Sequence, residues 1–304
     1  MTNNVKKVLR AFTTNPYRVR MGAKTQAKRL NVSVEDIREA RRIFYKLSTP
    51  KKLKVLILDI ETTPMKAWIW KRWKENIYLD QTLQEWFMLS WSAKWLGEEE
   101  AFGYVLHPDE VEQEDDSRLL IALHKVLDEA DIVVAHNGNK FDIPKINTRF
   151  ILNGLTPPSP YKQIDTYDVA RKQFGFSSNS LDAIATFFGI DNKDPHDFEL
   201  WKECMEGNQD SLVRLLKYNI KDVLILEKIY LKLRPWIKNH PNVNVITNSM
   251  VNVCTHCGSS NIEKIPDSSY NTQAFKYPVY RCKDCGAIFR SKYKISNKQE
   301  FTSI

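Results

Sequence analysis

Two acidic residues, Asp59 and Glu61, follow the aliphatic run "VLIL" at residues 55–58. The run is typical of a buried strand, on which side chains two positions apart face the same side. Asp59 and Glu61 therefore project together, whereas Ile60 points into the core. Two unit charges about 4 Å apart repel by about 4 kcal/mol at an effective dielectric constant of about 20. A cation between the carboxylates, or protonation of one, would remove this cost. Exposure of both at a strand end is the alternative.

Two further aspartates stand in contexts that also favour a metal. The segment "HNGNKFDIPKI" places Asp142 at the start of a helix, directly after the short strand "IVVAH". The segment "YNIKD" places Tyr218 and Asp222 four positions apart, and therefore on one face of a long helix. The neighbours of Asp222 are aliphatic, so its carboxylate is costly to bury unless a partner such as a metal ion compensates it.

Four cysteines near the C-terminus have the spacing of a zinc site. Cys254 and Cys257 lie in "CTHCGS", Cys282 and Cys285 lie in "CKDCGA", and 24 residues separate the two pairs. Thiolates at this spacing can bind one Zn²⁺ tetrahedrally, and a closed site of four cysteines has a structural role. The pattern resembles a zinc ribbon, with "YPVYR" and "AIFRSKYK" as its strands. His256 is not needed as a ligand.

The elements that position these residues alternate between strands and helices. Antiparallel strands in "VLILDI", "MKAWIWKRW", "WFMLSWSAKWLG" and "AFGYVL" are followed by helices that alternate with short strands. This order predicts an α/β fold with a mixed sheet flanked by helices. The predicted domains are a basic helical segment at 1–50, the α/β domain at 53–238, the zinc ribbon at 250–292 and a tail at 293–304.

The motifs "DIET", "HNGNKFDIP" and "YNIKD" occur in this order along the chain. Together they resemble the three exonuclease motifs of the DEDD superfamily on the RNase H-like fold. A tyrosine four residues before the last aspartate is typical of the DEDDy branch, which includes proofreading domains of family B DNA polymerases and stand-alone DnaQ-like nucleases. The other branch has a histidine five residues before that aspartate, where this chain has Lys217. The resemblance covers roughly residues 54–235.

The resemblance implies a role for each matching residue. The implied ligands of two Mg²⁺ or Mn²⁺ ions are Asp59, Glu61, Asp142 and Asp222. Such hard cations prefer oxygen ligands, and two of them can activate water and stabilise the attacking and leaving oxygens of a phosphoryl displacement. Tyr218 would orient the attacking water, and Asn137 would contact the terminal nucleotide.

The expected function is that of a metal-dependent 3′-5′ exonuclease that hydrolyses phosphodiester bonds of DNA, or of RNA, and releases nucleoside 5′-monophosphates. Direction and product follow from the resemblance alone. The expected substrate is the 3′ end of single-stranded DNA. A structure-specific endonuclease or an RNase on the same site is one alternative, and a non-catalytic DNA-binding protein is the other. No polymerase motif is visible, so proofreading would need a separate polymerase or another replication or repair protein as partner.

Charge is distributed unevenly between the N-terminal segment and the rest of the chain. Residues 1–54 carry 15 Lys and Arg against 3 Asp and Glu, whereas residues 55–304 carry 30 against 34. Clustered cations attract phosphates, so the N-terminal segment is expected to bind nucleic acid. Its helices resemble a helix-turn-helix, with Ser33 as N-cap and Arg38, Arg41 and Arg42 on the second helix. A scaffold that packs on a neighbouring domain would show the same pattern.

The sequence also predicts the environment of the chain. No apolar run approaches the roughly 18 residues of a membrane span, and the segment "MTNNVKKVLR" lacks the features of a secretory signal, so we expect a cytoplasmic protein without membrane contact. The predicted core of the N-terminal helices consists of Ala27, Leu30, Val32, Val34, Ile37, Ala40 and Ile43.

Several other polar or aromatic residues are assigned structural roles. We expect His136 to be a hydrogen-bonded residue at a strand end, Cys204 to be a core thiol, and His196 and Asp197 to lie in a solvated loop. Asp165 should support the fold or lie near the site, and with Asp168 it could add metal ligands. The tryptophans are expected in the core, with base stacking as the alternative for Trp68, Trp70 and Trp73.

Overall fold

The structure is a computed structural model of the 304-residue chain. It describes residues 1–15, 18–19, 21–47, 51–190, 198–247, 249 and 252–295, with the backbone alone for 45–47. The predicted loop at His196 and Asp197 and the end of the predicted tail lie outside these residues. The chain divides into two compact units, one of Met1–Leu53 with Pro241–Ile304 and the other of Lys54–His240. In the described part, no helix combines the length and hydropathy that are needed to cross a membrane.

The regular elements of the described residues are first helices, then mostly strands, then helices with two short strands among them, and finally three strands. The α-helices are α1 (Asn3–Thr14), α2 (Ala23–Leu30), α3 (Val34–Leu47), α4 (Pro108–Glu112), α5 (Ser117–Glu129), α6 (Asp142–Leu152), α7 (Thr166–Gln173), α8 (Leu181–Phe187), α9 (Phe198–Met205), α10 (Gln209–Leu233) and α11 (Val243–Ile246). The strands are β1 (Val55–Thr62), β2 (Lys66–Ala67), β3 (Thr82–Gln84), β4 (Met88–Trp95), β5 (Ala101–Val105), β6 (Ile132–Ala135), β7 (Lys162–Asp165), β8 (Ile262–Asn271), β9 (Lys276–Cys282) and β10 (Ile288–Arg290).

The predicted mixed sheet is confirmed in the unit Lys54–His240. Its strand order is β5-β4-β1-β6-β7, with β1 in the centre. Strand β1 pairs antiparallel with β4, which follows it after the separate β2–β3 pair, and parallel with β6, which the chain reaches through β5, α4 and α5. The aliphatic residues of β1 are buried, as expected for a strand covered on both faces.

Helices α6 and α10 are fixed to the sheet by buried polar contacts. Arg149 on α6 donates two hydrogen bonds of 2.7 Å to the buried carboxylate of Asp116, which also accepts from the backbone N–H of Met88 on β4. The long helix α10 contacts β1, β4 and β5, and its Glu227 forms an ion pair with the buried Lys94 of β4. Both helices carry predicted site residues, so these contacts fix the position of the site.

The N-terminal helices form a small core of their own. Ala27, Ile37 and Ala40 are buried there, and the other four residues of the predicted core pack against them. Ser33 accepts a hydrogen bond of 2.9 Å from the N–H of Asp36, which confirms the predicted N-cap. Helix α1 completes the core through Val8 and Phe12, so the two-helix pattern is part of a three-helix arrangement.

Two predictions for the strands need correction. The segment "MKAWIWKRW" is not a strand of the main sheet; β2 pairs with β3 over two residues, and the following residues are irregular. Its aromatic composition favours a strand, but no neighbouring strand extends the pairing. The long strand β8 was not predicted, because its segment is mostly polar and its pairing with β9 supplies the stabilisation.

Candidate active site

Strand β1 places the side chains of Asp59 and Glu61 on one face of the sheet. Both residues are half-buried, whereas Ile60 between them is 2% exposed, which confirms the predicted alternation. Opposite them on β4 lie Ser92 and Ser90, in register with Asp59 and Glu61. Both serines are fully buried. Their small side chains leave room for a helix to pack above the two carboxylates.

Helix α10 brings a third carboxylate to this face. Asp222 is buried, and carboxylate oxygens of Asp59, Glu61 and Asp222 lie within 4.8 Å of one another. Each such pair of charges repels by about 4 kcal/mol at ~4 Å and an effective dielectric constant of about 20. Three hard oxygen donors at this separation fit a divalent cation such as Mg²⁺ or Mn²⁺, which would offset the repulsion.

Asn219 links the helix to the strand within the site. Its side-chain amide donates a 2.6 Å hydrogen bond to the carboxylate of Asp59, and its carbonyl oxygen accepts a 3.3 Å bond from the hydroxyl of Ser90. Asn219 is fully buried and lies three residues before Asp222, on the same face of α10. Asn219 was missing from the predicted site residues: the sequence places it on the same helix face as Asp222, but its contact with Asp59 joins residues that are 160 positions apart in the chain.

Asp142 lies beside β1 rather than in the three-carboxylate group. Strand β6 pairs with β1 over residues 55–57, so the N–H of Ile60 lies beyond this ladder and donates to Asp142 at 3.2 Å. Burial raises the pKa of Asp142 to about 7, and the carboxylate of Asp165 adds to the rise. A cation near Asp142 would favour its ionised form.

The loop between β6 and α6 is held by Asp165. The carboxylate of Asp165 accepts hydrogen bonds from the backbone N–H groups of Asn137 and Asn139 at 2.9 and 3.0 Å. It also caps α7, so Asp165 supports the fold as expected. Asn137 has φ of 62°, a left-handed conformation that asparagine tolerates better than most residues. A Cβ on Gly138 would lie 2.4 Å from the Cβ of Ala135, so a larger residue does not fit there.

Three other residues, His136, Cys204 and Asp168, make contacts that support the fold. His136 contacts the hydroxyl of Thr166 and the carbonyl oxygen of Asn179, both at 2.9 Å, which confirms a hydrogen-bonded histidine at the strand end. Cys204 is fully buried in the hydrophobic core of the unit Lys54–His240, here called the main core, and burial raises the pKa of its thiol to about 12. Asp168 forms ion pairs with cations one turn along α7.

A cavity of about 530 Å³ adjoins the end of β1. Its lining begins with Thr62 and Thr63, directly after Glu61, and includes the aromatic residues Phe141, Phe198 and Trp201. Trp201 packs edge-on against Tyr218, with ring centroids 6.1 Å apart. Tyr218 is 8% exposed, so packing limits the movement of its ring.

Lys145 supplies a cation to the same cavity. Its ammonium group donates to the hydroxyl of Thr62 at 3.1 Å and lies 3.7 Å from the ring centre of Trp86. Burial lowers the pKa of Lys145. Lys145 was not predicted as a site residue, although it follows Asp142 by three positions on α6. A cation and aromatic rings beside a carboxylate group are suited to a phosphate and a base.

Comparison with known proteins identifies the unit that contains this site. Residues 56–234 match the family RNase_H_2, which is described as RNase_H superfamily. The chain belongs to the RNase H superfamily. The three-carboxylate group therefore lies in an RNase H-like unit.

Among solved structures, this chain is similar to a family B DNA polymerase from the hyperthermophilic archaeon Pyrobaculum calidifontis. The identity is 14% and the TM-score 0.44, and the match covers 76% of this chain and 34% of the polymerase chain. This chain thus spans about a third of that protein. No match was found among curated proteins.

The four cysteines outside the RNase H-like unit form one cluster. Sulfur atoms of Cys254, Cys257, Cys282 and Cys285 lie within 4.8 Å of one another. The contact between the thiols of Cys254 and Cys257 lowers the pKa of Cys254 and raises the pKa of Cys257, so it favours one thiolate within this pair. Four sulfur donors in a closed group, at the base of the β8–β10 sheet, fit a structural Zn²⁺ and are consistent with the predicted zinc ribbon.

Substitution of Asn219 tests whether the carboxylates form a metal site. Asn219→Ala removes the hydrogen bond that orients Asp59, and loss of such a contact typically weakens metal binding by about 10- to 100-fold. We expect this decrease in Mn²⁺ affinity, measured from the electron paramagnetic resonance signal of free Mn²⁺. Asn153→Ala, an exposed asparagine of the same unit, should bind like the wild type. Equal affinity of both variants would contradict a site at Asp59.

Substitution of one cysteine tests the sulfur cluster. Cys282→Ser removes one of four ligands, so the purified protein should lose most of its zinc, measured by atomic absorption. Cys204→Ser is the control, because this buried cysteine lies in the main core and should leave the zinc content unchanged. A stoichiometric zinc content in Cys282→Ser would exclude the closed four-sulfur site.

Proposed function

We propose that this chain is a metal-dependent 3′-5′ exonuclease that hydrolyses phosphodiester bonds of DNA and releases nucleoside 5′-monophosphates. The observation that carries the proposal is the group of carboxylate oxygens from Asp59, Glu61 and Asp222 within 4.8 Å, at the end of the central strand of an RNase H-like sheet. Nucleases need concentrated positive charge at the scissile phosphate. Divalent cations supply that charge, and a group of carboxylates can bind them.

The acidic residues have different roles in this proposal. Asp59, Glu61 and Asp222 hold the cations directly, and Asn219 keeps the Asp59 carboxylate in place. Asp142 is the fourth acidic residue, placed beside β1 by the N–H of Ile60. Two Mg²⁺ or Mn²⁺ ions, when bound, would supply positive charge to the attacking and leaving oxygens of the displacement.

Tyr218 is proposed to orient the attacking water through its hydroxyl group. It lies four residues before Asp222 on the same face of α10, so its side chain and the carboxylate neighbour each other. Its ring is buried against Trp201, which limits the conformations of the side chain. A fixed hydroxyl lowers the entropic cost of positioning water for attack. This arrangement supports assignment to the DEDDy branch.

The terminal nucleotide is proposed to occupy the cavity beside Thr62. Lys145 would attract its phosphate, and the surrounding aromatic rings would contact its base. Asn137 is proposed to contact the same nucleotide from the loop that Asp165 holds. No contact in this set identifies the sugar, so RNA is the second candidate substrate and cleavage of both is compatible with the site.

The chemistry of the cysteines supports a cytoplasmic location within this proposal. The five cysteines are free of disulfides, and four of them have the arrangement of a metal site. Reduced cysteines of this kind are typical of a reducing compartment.

Degradation of labelled single strands tests the proposed reaction. With 5′-labelled DNA and RNA of one sequence in Mg²⁺, the wild type should give products that shorten stepwise from the 3′ end. Asp222→Asn removes a cation ligand and should lower the rate by more than about 100-fold, because loss of even a supporting contact costs about 10- to 100-fold. Asp210→Asn, an exposed change on the same helix, should retain full activity. Tyr218→Phe should retain measurable activity, about 1% of the wild-type rate.

Other outcomes of this assay would favour the alternatives. Internal cuts at early times would replace the exonuclease with a structure-specific endonuclease. Full activity of Asp222→Asn would contradict the cation site at these carboxylates. Absence of cleavage in both strands would favour a non-catalytic DNA-binding protein.

A further inference from the structure

The segment between β1 and β4 exposes an unusual group of apolar side chains. Residues 65–84, here called the tryptophan hairpin, contain the short β2–β3 pair and the irregular chain that joins it. Trp68, Trp70 and Trp73 are 70%, 92% and 82% exposed, so these three do not lie in the expected core, and base stacking, the alternative for them, stays a hypothesis. The other exposed apolar residues of the segment are Met65, Ile69, Ile77, Tyr78, Leu79 and Leu83. A concentration of exposed apolar side chains in one segment indicates an interaction site.

The tryptophan hairpin has a fixed backbone despite its exposed side chains. The carboxylate of Glu75 accepts hydrogen bonds from the N–H groups of Trp70 and Lys71 at 3.0 and 2.8 Å. The N–H of Trp68 donates to the carbonyl oxygen of Gln81 at 2.9 Å, and the side-chain amide of Gln81 donates to the carbonyl oxygen of Trp68 at 3.2 Å. These contacts hold the backbone of Trp68 and Trp70 in place before any partner binds, which reduces the entropic cost of binding.

The charge of the tryptophan hairpin differs in sign from that of its surroundings. Residues 65–84 carry 4 Lys and Arg against 2 Asp and Glu, whereas the rest of residues 55–240 carries 18 against 28. The four cations of the hairpin, all exposed, are Lys66, Lys71, Arg72 and Lys74. One of its two anions, Glu75, is used to hold the loop. The exposed surface is therefore positive as well as aromatic.

We propose that the tryptophan hairpin is a stacking platform for single-stranded nucleic acid. Unpaired bases stack on exposed aromatic rings, and the phosphates between them are attracted by neighbouring cations. Three lysines among the four cations suit a polyanion better than an apolar protein surface, because lysine is depleted in protein interfaces.

The position of the hairpin in the chain connects it with the cavity. Thr62, Thr63 and Pro64 line the cavity beside Glu61, and the hairpin begins at the next residue. A strand whose last nucleotide enters this cavity would place its preceding nucleotides on the tryptophans. This path from the hairpin to the cavity rests on the proposed function, whereas binding of a single strand by the hairpin does not.

Binding without hydrolysis tests the platform itself. Anisotropy of a fluorescent oligothymidylate of about 20 nucleotides, in EDTA, should show roughly tenfold or greater loss of affinity for the double variant Trp70→Ala/Trp73→Ala, because each stacked base contributes substantially to binding. The matched control is Trp236→Ala, which removes a tryptophan of the same unit that is 61% exposed, and it should bind like the wild type. Trp70→Phe/Trp73→Phe should retain most of the affinity, since phenylalanine also stacks.

An abasic strand separates stacking from charge. With the same phosphates but no bases, the wild type and Trp70→Ala/Trp73→Ala should bind with equal affinity. Equal affinity of the two proteins for oligothymidylate, with matching circular dichroism spectra, would overturn the proposal and favour a protein partner for the hairpin. An equal loss of affinity for both strands would also overturn it, because stacking requires bases.

A minimal substrate separates this inference from the proposed function. The p-nitrophenyl ester of thymidine 5′-monophosphate fills the site without reaching the hairpin, so the wild type and Trp70→Ala/Trp73→Ala should hydrolyse it at equal rates. The double variant should be slower on the long strand alone. If the wild type hydrolyses neither substrate, the proposed function fails, while the affinities measured in EDTA still decide the role of the hairpin.

Discussion

Repulsion between carboxylates is the constraint on which the RNase H-like unit depends. Three acidic groups from a strand and a helix are brought within 4.8 Å, where each pair of charges opposes folding. Contacts of neighbouring side chains hold this arrangement. Helix α10 is fixed to β4 by the ion pair of Lys94 and Glu227, and Asn219 donates to Asp59 within the site. A divalent cation would offset the remaining repulsion, so the same arrangement that costs stability can provide metal affinity.

The acidic character of this unit poses a second problem, which concerns the substrate. Residues 55–240 carry 22 Lys and Arg against 30 Asp and Glu, so their net charge repels a polyanion. Attraction must come from local positive groups, and the described residues provide these in Lys145 beside the cavity and in the cations of the tryptophan hairpin. The N-terminal segment adds a strongly basic sequence. A nuclease built in this way would bind nucleic acid through several weak contacts around one strongly charged site.

Parts of this organisation can be predicted from the sequence because they depend on local patterns. Alternation along β1 gives the common face of Asp59 and Glu61, and the spacing of the cysteines gives their cluster. The approach of Asp222 to β1 is different, because 162 residues separate it from Asp59 and no local pattern joins them. That contact was expected from the resemblance of three ordered motifs to a nuclease family, and the geometry of the three carboxylates agrees with it.

Predictions failed where tertiary partners decide the outcome. The aromatic residues of "MKAWIWKRW" favour a buried strand, yet β2 and β3 pair over two residues and leave the tryptophans exposed. Composition cannot distinguish an aromatic core strand from an aromatic binding surface, because both are rich in the same residues. Lys145 and Asn219 were missed for a related reason: their roles depend on Thr62 and Asp59, which approach them only in the folded chain.

Replacement of the leaving oxygen by sulfur tests the central claim most directly. The substrate is a single strand whose terminal linkage carries sulfur at the 3′ bridging position, compared with the normal strand in Mg²⁺ and in Mn²⁺. Mg²⁺ binds sulfur poorly, whereas Mn²⁺ accepts it more readily. If the carboxylates hold a cation against the leaving atom, sulfur should slow terminal hydrolysis strongly in Mg²⁺ and much less in Mn²⁺. The same ratio of sulfur to oxygen rates with both ions would contradict a cation at this position.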